Sequence, residues 1–213
     1  MNKQITIVDY GVGNLYSVRR AVEVSGTKNI KVSDQARDLE EADKIILPGV
    51  GAFNDGMSGL RARGLIEPLI NAANCGKPIL GICLGMQLLA NSSEEFGLHQ
   101  GLSLIPGKVK VLFKRDTQDN PLKVPFVGWS VLNINNQFKG HNYLLSTNID
   151  QSVYLTHSYH FVPDDPISTM ATYSFGDKEI TAIVQRENIT GMQFHPEKSG
   201  PFGLHLIKKF IIN

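Results

Sequence analysis

The chain has 213 residues, of which 42% are hydrophobic and 19% charged, and its formal net charge is +1. This length and apolar content predict a single domain over residues 1–213 with one sizeable core. The near balance of charges, without a basic run, excludes the electrostatic footprint of a nucleic-acid-binding protein, and no apolar stretch reaches the roughly 18 residues that a membrane helix needs.

Short apolar strands alternate with helical segments through the first half of the chain. Strands are predicted at residues 5–8, 30–32, 44–47 and 78–82, and a helix with Leu15, Val18 and Val22 on one face follows the first of them. Pro68 predicts a break or a helix start in a later helical stretch. Strands that are apolar throughout and separated by helices are typical of a parallel sheet covered on both faces.

The second half contains more strands and fewer helices. Strands are predicted at residues 109–111, 127–131, 153–156, 170–173 and 181–184, and a last helix begins near Pro201. With few helices between them, these strands are expected to form hairpins that extend the sheet. The prediction is an α/β fold with a central, mostly parallel sheet, helices on both faces and an antiparallel extension in the second half.

A candidate nucleophile lies in the segment Gly81-Ile82-Cys83-Leu84-Gly85. This segment has the G-x-S-x-G elbow pattern with cysteine in place of serine, in which a tight strand-to-helix turn leaves space only for small neighbours. The elbow would set the sulfur at a helix N-terminus, where the dipole favours thiolate. The alternative is a buried structural cysteine. The only other cysteine, Cys75, lies in a helix-ending turn, and so few cysteines indicate a reducing, cytoplasmic location.

A cysteine nucleophile needs a histidine base and a group that orients it. Among six histidines, His195 has the best local context, because a strand ends there, a proline follows and Glu197 lies two residues on. A carboxylate at that offset can turn back to an imidazole N–H and select its tautomer. A surface turn histidine is the alternative interpretation.

Together, the segments 81–87 (Gly-Ile-Cys-Leu-Gly-Met-Gln) and 193–197 (Gln-Phe-His-Pro-Glu) resemble the two signatures of the class I, triad-type glutamine amidotransferases. The segments 9–14, 48–51 and 195–199 look like those of the HisH type, the glutaminase subunit of imidazole glycerol phosphate synthase. The similarity runs from Ile7 to Phe210. It implies a flavodoxin-like fold and glutamine hydrolysis by Cys83, His195 and Glu197.

The resemblance also implies roles for other residues. It implies no metal and no organic cofactor, and it implies a heterodimer with a HisF-type (β/α)₈ synthase that receives the ammonia. Without it, Gln87 and Glu95 would be interpreted as ordinary polar positions. The implied sets are an oxyanion hole at Leu84, Val50 and Gly51, glutamine contacts at Gln87, Glu95, His157, Ser158 and Tyr159, and a partner interface at Asn14, Tyr154 and Lys198.

Two positions depart from the HisH pattern. Phe126 stands where a histidine is expected, in the segment 125–130, and His160 stands where a tyrosine is expected. The first change leaves the hydrolytic chemistry intact but concerns the partner-facing edge of the site. Two alternatives therefore stay open: a paralogous glutaminase that supplies ammonia for amidation of a bacterial surface sugar, and, in another class, an independent cysteine hydrolase or an inactive binding subunit.

Overall fold

An eight-stranded sheet runs through the centre of the fold. A computed structural model describes residues 3–135, 137–138 and 151–213. The strands are β1 (Ile5–Val8), β2 (Ile30–Ser33), β3 (Lys44–Leu47), β4 (Ile79–Ile82), β5 (Ser92–Ser93), β6 (His99–Gln100), β7 (Gly107–Val111), β8 (Phe126–Val131), β9 (Asn133–Ile134), β10 (Ser152–His157), β11 (Tyr159–Pro163), β12 (Thr169–Phe175), β13 (Lys178–Arg186) and β14 (Ile189–Met192). The helices are α1 (Leu15–Val24), α2 (Ala36–Glu41), α3 (Phe53–Ala62), α4 (Ile66–Asn74), α5 (Leu84–Leu88) and α6 (Gly200–Ile212).

The central sheet has the strand order β2-β1-β3-β4-β14-β13-β12-β9. The pairs from β2 to β14 are parallel, and β13, β12 and β9 continue the sheet with antiparallel pairing. The predicted α/β class, with its antiparallel extension, is confirmed. Because the carboxyl ends of parallel strands meet at one edge, the loops after β1, β3, β4 and β14 come together there.

Successive side chains of the buried strands point to opposite faces of the sheet and belong to two separate hydrophobic cores. Ile5, Ile7 and Ile46 pack on one face with α1 and α6. On the other face, Ile45 and Leu47 pack with helices α2 to α5. Both faces of the sheet are therefore covered, which explains why its strands are apolar throughout. None of the helices in the described ranges is long and apolar enough to cross a membrane.

Three of the five strands predicted in the second half, β7, β8 and β10, do not extend the central sheet. β10 and β8 form a two-stranded antiparallel ribbon, and β11, β7, β5 and β6 form a four-stranded sheet. The ribbon leaves Val127, Trp129 and Val131 on its exposed face, so it packs on the core through one face only. A strand's own sequence does not specify which sheet it joins, and the prediction was wrong for β7, β8 and β10; β5, β6 and β11 were not predicted. Pro68 lies in the first turn of α4, so it marks a helix start, which was one of the two predicted outcomes, and not a break.

Candidate active site

Cys83 lies on a strained turn between β4 and α5. Its φ is +52°, in a region of backbone conformation that residues other than glycine rarely adopt. A Cβ at Gly85 would lie 1.8 Å from the carbonyl oxygen of Leu47, and one at Gly81 would lie 2.7 Å from that of Gly85. The two glycines of the elbow are therefore required by close backbone packing, as the pattern predicted. Cys83 is 7% exposed, so a small part of it reaches the neighbouring cavity.

His195 and Glu197 form a buried pair just after β14. Nδ1 of His195 lies 2.8 Å from Oε1 of Glu197, and the two side chains are 3% and 1% exposed. A carboxylate accepts a hydrogen bond, so the Nδ1 proton points to Glu197 and Nε2 is left to face Cys83. Burial disfavours the charged imidazolium, but the interactions with Cys83 and Glu197 outweigh it and raise the pKa of His195 to about 10.

The backbone around His195 fixes the position of the ring. The N–H of His195 donates to the carbonyl of Tyr154 at 3.0 Å, and its carbonyl accepts from the Ser199 hydroxyl at 2.7 Å. The same hydroxyl accepts from the N–H of Tyr154 at 2.9 Å. The segment after β14 is therefore attached to β10, which carries part of the cavity wall.

A cavity of about 310 Å³ opens beside the cysteine, which is the size of a small-molecule site. Every residue predicted as nucleophile, base, oxyanion donor or glutamine contact lines it. Glu197 lies behind His195 and does not. Pro125 and Thr156 also line the cavity, and neither was predicted. The lining residues are Val50, Gly51, Cys83, Leu84, Gln87, Glu95, Pro125, Thr156, His157, Ser158, Tyr159 and His195.

Hydrogen bonds determine the protonation of His157 on the cavity wall. Its Nδ1 lies 2.8 Å from the carbonyl oxygen of Tyr159, which can only accept, so the proton is on Nδ1. The hydroxyl of Tyr173 donates to Nε2 at 2.8 Å. Burial lowers the pKa of His157 to about 4, which keeps the ring neutral. The neutral ring holds the carbonyl of Tyr159, next to Ser158, in a fixed orientation.

Gln87 and Glu95 complete the polar lining. The side-chain amide of Gln87, on α5, donates to the carbonyl of Tyr159 at 2.9 Å. The carboxylate of Glu95 accepts from the N–H of Phe53 at 2.6 Å, at the N-terminus of α3. Burial raises the pKa of Glu95 despite this bond. Among the residues that the structure describes, no group of three or more His, Cys, Asp or Glu side chains is arranged to hold a metal ion.

The loop after β3 presents a carbonyl to the elbow. The N–H of Leu84 donates to the carbonyl of Gly49 at 3.4 Å, so the expected oxyanion donor is already engaged in this conformation. The buried hydroxyl of Tyr10 donates to the carbonyl of Pro48 at 2.5 Å and fixes the first peptide of the loop. Gly51 has a φ of +107° and is not crowded. The Gly49–Val50 peptide therefore lies in the orientation that turns its oxygen to Leu84.

The structure brings together two of the three residues predicted to contact a partner. Lys198 has its Nζ 6.0 Å from the centre of the Tyr154 ring, and Trp129 contacts the same ring edge-on at 6.0 Å. Trp129 is 57% exposed. Asn14 caps α1 by accepting from the N–H of Ser17 at 3.2 Å, and α1 packs against the turn Pro196–Lys198. These residues lie near the turn Pro196–Lys198, at the carboxyl edge of the sheet.

The two departures from the HisH pattern have different surroundings. Phe126 stacks on Tyr173, with ring centres 5.5 Å apart, so its ring lies against the tyrosine that holds His157. His160 is buried on β11, 6.0 Å from the ring of Phe113, and does not line the cavity.

Two buried residues near Cys83 were not predicted from the sequence. Gln193 is fully buried, and its amide nitrogen lies 3.9 Å from the sulfur of Cys83. Tyr10 holds the loop after β3. Both belong to segments that were quoted for their similarity. Gln193 is two residues before His195, and both follow the end of β14 at Met192, so its closeness in sequence to the proposed base was the available signal.

Comparisons with known proteins identify the family of this chain. The family model "Glutamine amidotransferase class-I" matches residues 6–213. Two relatives named "Imidazole glycerol phosphate synthase subunit HisH" are similar over 97% of this chain: that of Syntrophotalea carbinolica is 45% identical, with 98% of it covered, and that of Sulfurimonas denitrificans is 46% identical, with 96% covered. The solved structure of PurLQS from Thermotoga maritima has a similar fold, with a TM-score of 0.67, 21% identity, and coverage of 99% of this chain and 96% of that chain.

Proposed function

The chain belongs to the class I glutamine amidotransferase family, and we propose that it is the glutaminase subunit of imidazole glycerol phosphate synthase. It hydrolyses glutamine to glutamate and ammonia, and it passes the ammonia to a HisF-type cyclase subunit in histidine biosynthesis. Relatives at 45% and 46% identity that carry the HisH name support this assignment. The observation that carries it is a cavity of about 310 Å³ in which Cys83 and His195 meet the predicted glutamine contacts, with Glu197 paired to His195 behind the cavity wall.

In the first half of the reaction, the thiolate of Cys83 attacks the side-chain amide carbon of glutamine. A C–S bond forms, and the carbonyl electron pair moves to oxygen. The imidazolium of His195 gives its Nε2 proton to the departing nitrogen, the C–N bond breaks, and ammonia leaves a thioester on Cys83. A pKa of about 10 means that His195 carries this proton at neutral pH.

In the second half, His195 takes a proton from water, and the resulting hydroxide attacks the thioester carbon. The C–S bond breaks and the thiolate returns, with the proton from water kept on His195. The new γ-carboxyl group loses its own proton to solvent, and glutamate leaves. Glu197 holds Nδ1–H throughout, at 2.8 Å, so that Nε2 always faces the reacting atoms.

Stabilisation of the oxyanion requires a rotation of the Gly49–Val50 peptide. In the present conformation the carbonyl of Gly49 accepts from Leu84 at 3.4 Å. Rotation would release the Leu84 N–H and turn the N–H of Val50, beside Gly51, toward the cavity. Glycine at position 49 tolerates such a rotation because it lacks a side chain.

The polar ends of glutamine bind across the cavity from Cys83. The carboxylate of Glu95 faces the α-ammonium group, Gln87 contacts the polar head, and the backbone at Ser158 and Tyr159 meets the α-carboxylate. Hydrogen bonds from Gln87 and His157 hold the Tyr159 carbonyl and so fix that backbone. Prior fixation lowers the entropy that substrate binding has to overcome.

The synthase partner docks on the surface around Asn14, Tyr154 and Lys198, as a heterodimer. Lys198 is exposed, and it lies beside the half-exposed ring of Tyr154. We assign the reaction to the cytoplasm, because the nucleophile has to stay a thiol and both cysteines are free.

Replacement of the nucleophile tests the proposed function. We expect Cys83→Ser to abolish glutamine hydrolysis but to leave the partner complex able to turn over with added ammonium salt, because a serine hydroxyl is a poor nucleophile in a site built for thiolate. Cys75→Ser is the matched control and should retain wild-type activity. If Cys83→Ser keeps a tenth of the wild-type glutaminase rate, Cys83 is not the nucleophile.

The same assay identifies the ammonia acceptor. Phe126, which stacks on Tyr173, is the observation that favours a surface-sugar amidating partner instead. The chain should be activated by a HisF-type synthase with its nucleotide ligand. Activation by a surface-sugar enzyme, without activation by HisF, would assign the chain to that paralogous function.

A further inference from the structure

A chain of hydrogen bonds determines how the side-chain amide of Gln87 is oriented. It begins at the carbonyl of Tyr159, which can only accept and which already accepts from Nδ1–H of His157 at 2.8 Å. The group of Gln87 that lies 2.9 Å from this carbonyl oxygen must therefore be its NH₂. The reverse assignment of the amide would place two oxygens in contact, so the network excludes it.

The orientation of Gln87 in turn fixes that of Gln193. The same NH₂ group of Gln87 lies 3.2 Å from the side chain of Gln193, so the atom of Gln193 at that position must be its oxygen. Its NH₂ group then points the other way, to the sulfur of Cys83 at 3.9 Å. Hydrogen bonds to sulfur are longer than those to oxygen because sulfur is the larger atom. Gln193 is fully buried, so water does not compete for this contact.

We infer that Gln193 is a further catalytic residue, whose amide N–H stabilises the thiolate of Cys83, and that Gln87 is a positioning residue that keeps this amide from turning. The inference rests on the proposed glutaminase function, in which the thiolate attacks. His195 contributes the positive charge on one side of the sulfur, and Gln193 contributes a neutral donor on another. A donor to a charged acceptor is stronger than one to a neutral acceptor, so the bond favours the thiolate over the thiol.

The hydrogen bonds of Gln193 indicate that its buried side-chain amide has more than a structural role. The side-chain oxygen of Gln193 accepts a hydrogen bond from Gln87. The backbone N–H of Gln193 donates to the carbonyl of Ala182 at 2.9 Å. The side-chain NH₂ group of Gln193 has the sulfur of Cys83 as its partner among the residues that the structure describes. Gln193 does not line the glutamine cavity, so its removal should change reactivity and not substrate binding.

The test measures alkylation of Cys83 by iodoacetamide, in a Cys75→Ser background because Cys75 is exposed. Gln193→Met keeps the side-chain length and removes the donor. We expect Cys83 alkylation to slow about tenfold at pH 7, which corresponds to about 1.4 kcal/mol, and the difference to close toward pH 10. The titratable groups that face the sulfur are His195, paired with Glu197, and Tyr10, and every variant keeps them.

Two further variants control for indirect effects. Gln185→Met makes the same substitution on the neighbouring strand β13, and it should leave alkylation unchanged. Gln193→Glu replaces the donor by a carboxylate of the same shape, and it should slow alkylation at pH 7 at least as much as methionine does. Thermal unfolding of each variant, monitored by circular dichroism, identifies any variant that fails to fold. If Gln193→Met does not fold, the alkylation rate of Gln193→Glu decides the test.

The outcomes separate this inference from the proposed function, because alkylation needs neither glutamine nor a partner. Equal alkylation of Gln193→Met and the parent at pH 7, or the same ratio at both pH values, would overturn the role of Gln193. With the synthase partner, Gln193→Met should lower kcat about tenfold and leave KM for glutamine unchanged. If the parent hydrolyses no glutamine but the alkylation pattern holds, the proposed function fails and the donor role remains.

Discussion

At the scale of single residues, the site depends on strain and on hydrogen bonds that lie close to the sulfur. A positive φ costs a residue such as Cys83 about 1–2 kcal/mol. The backbone N–H of Cys83 offsets part of this cost by donating to the carbonyl of Met192 at 2.7 Å. The strain turns the side chain out of the sheet edge, toward His195 and the cavity.

Two substitutions separate the proton carrier from the group that orients it. We expect His195→Ala to lower the glutaminase rate by about 10³–10⁴-fold and Glu197→Gln to lower it less, by about 10²-fold. In the proposed mechanism, Glu197 fixes the tautomer and stabilises the imidazolium, whereas His195 moves the proton itself. Steady-state assays with saturating partner measure both rates, and Glu94→Gln on the exposed loop is the matched control. Wild-type activity of Glu197→Gln would remove Glu197 from the triad.

The raised pKa of His195 predicts an alkaline limit to activity. The interactions with Cys83 and Glu197 favour the imidazolium in the folded state, so their contribution to stability is complete below pH 6.5 and is lost as the pH rises toward about 10. Because the proposed release of ammonia needs the Nε2 proton, kcat/KM should hold through neutral pH and fall near pH 10. Glu197→Gln should move this limb to lower pH. A limb near pH 6.5 in the wild type would contradict the assigned protonation.

At the scale of elements, the loops after β1 and β3 act as a pair. Tyr10, in the first loop, fixes the carbonyl of Pro48, and the next peptide turns its oxygen to Leu84. A Cβ at Gly49 would lie 2.3 Å from the hydroxyl of Tyr10 and 2.9 Å from the Cβ of Leu84. The absence of a side chain at position 49 is therefore a condition for this arrangement of the two loops.

Gly49→Ala tests the role of the loop. The added methyl group would push the loop away from Tyr10 and Leu84, so we expect partner-stimulated glutaminase to fall by about 10²-fold or more, the usual loss when an oxyanion donor is misplaced. Gly64→Ala is the control. Gly64 has a positive φ but open space around it, so an added methyl group there causes backbone strain without a steric clash. Assays with thermal unfolding measure both effects. Wild-type stimulated activity in a folded Gly49→Ala variant would exclude this role.

At the scale of the whole molecule, the carboxyl edge of the sheet brings the cavity, the proposed catalytic residues and the proposed docking surface together. Lys198 is three residues from His195, and Tyr154 accepts a hydrogen bond from the backbone of that histidine at 3.0 Å. A partner on this surface therefore contacts the segment that carries the base. A thousandfold activation would need only about 4 kcal/mol of differential stabilisation.

The isolated chain should accordingly be a very poor glutaminase, because the Leu84 N–H is occupied by Gly49. A synthase partner with its acceptor ligand should raise the rate by orders of magnitude. Lys198→Ala should weaken this activation without affecting the slow reaction of Cys83 with an electrophilic glutamine analogue, and Lys208→Ala on α6 is the matched control. Assays of the chain alone and with partner measure the ratio. Full activity of the chain alone would favour an independent hydrolase.

The sequence by itself determined the α/β class, the elbow at Cys83 and the pairing of His195 with Glu197. Each follows from residues close together in the chain: buried strands from apolar runs, the elbow from two glycines, and the pair from an offset of two. Because those strands are parallel, their carboxyl ends meet at one edge, but the full set of candidate site residues was implied by the resemblance to the glutamine amidotransferases and not by strand order.

The tertiary structure alone decided which sheets the later strands join, where the carbonyl of Gly49 points and what lies behind Cys83. A half-buried strand such as β8 can pair with any complementary edge, and a glycine peptide can rotate at little cost, so neither has a local signal. The orientation of Gln193 depends on Gln87 and on Tyr159, which is 34 residues before it. Long-range hydrogen bonds fix such orientations, and short sequence patterns carry no information about them.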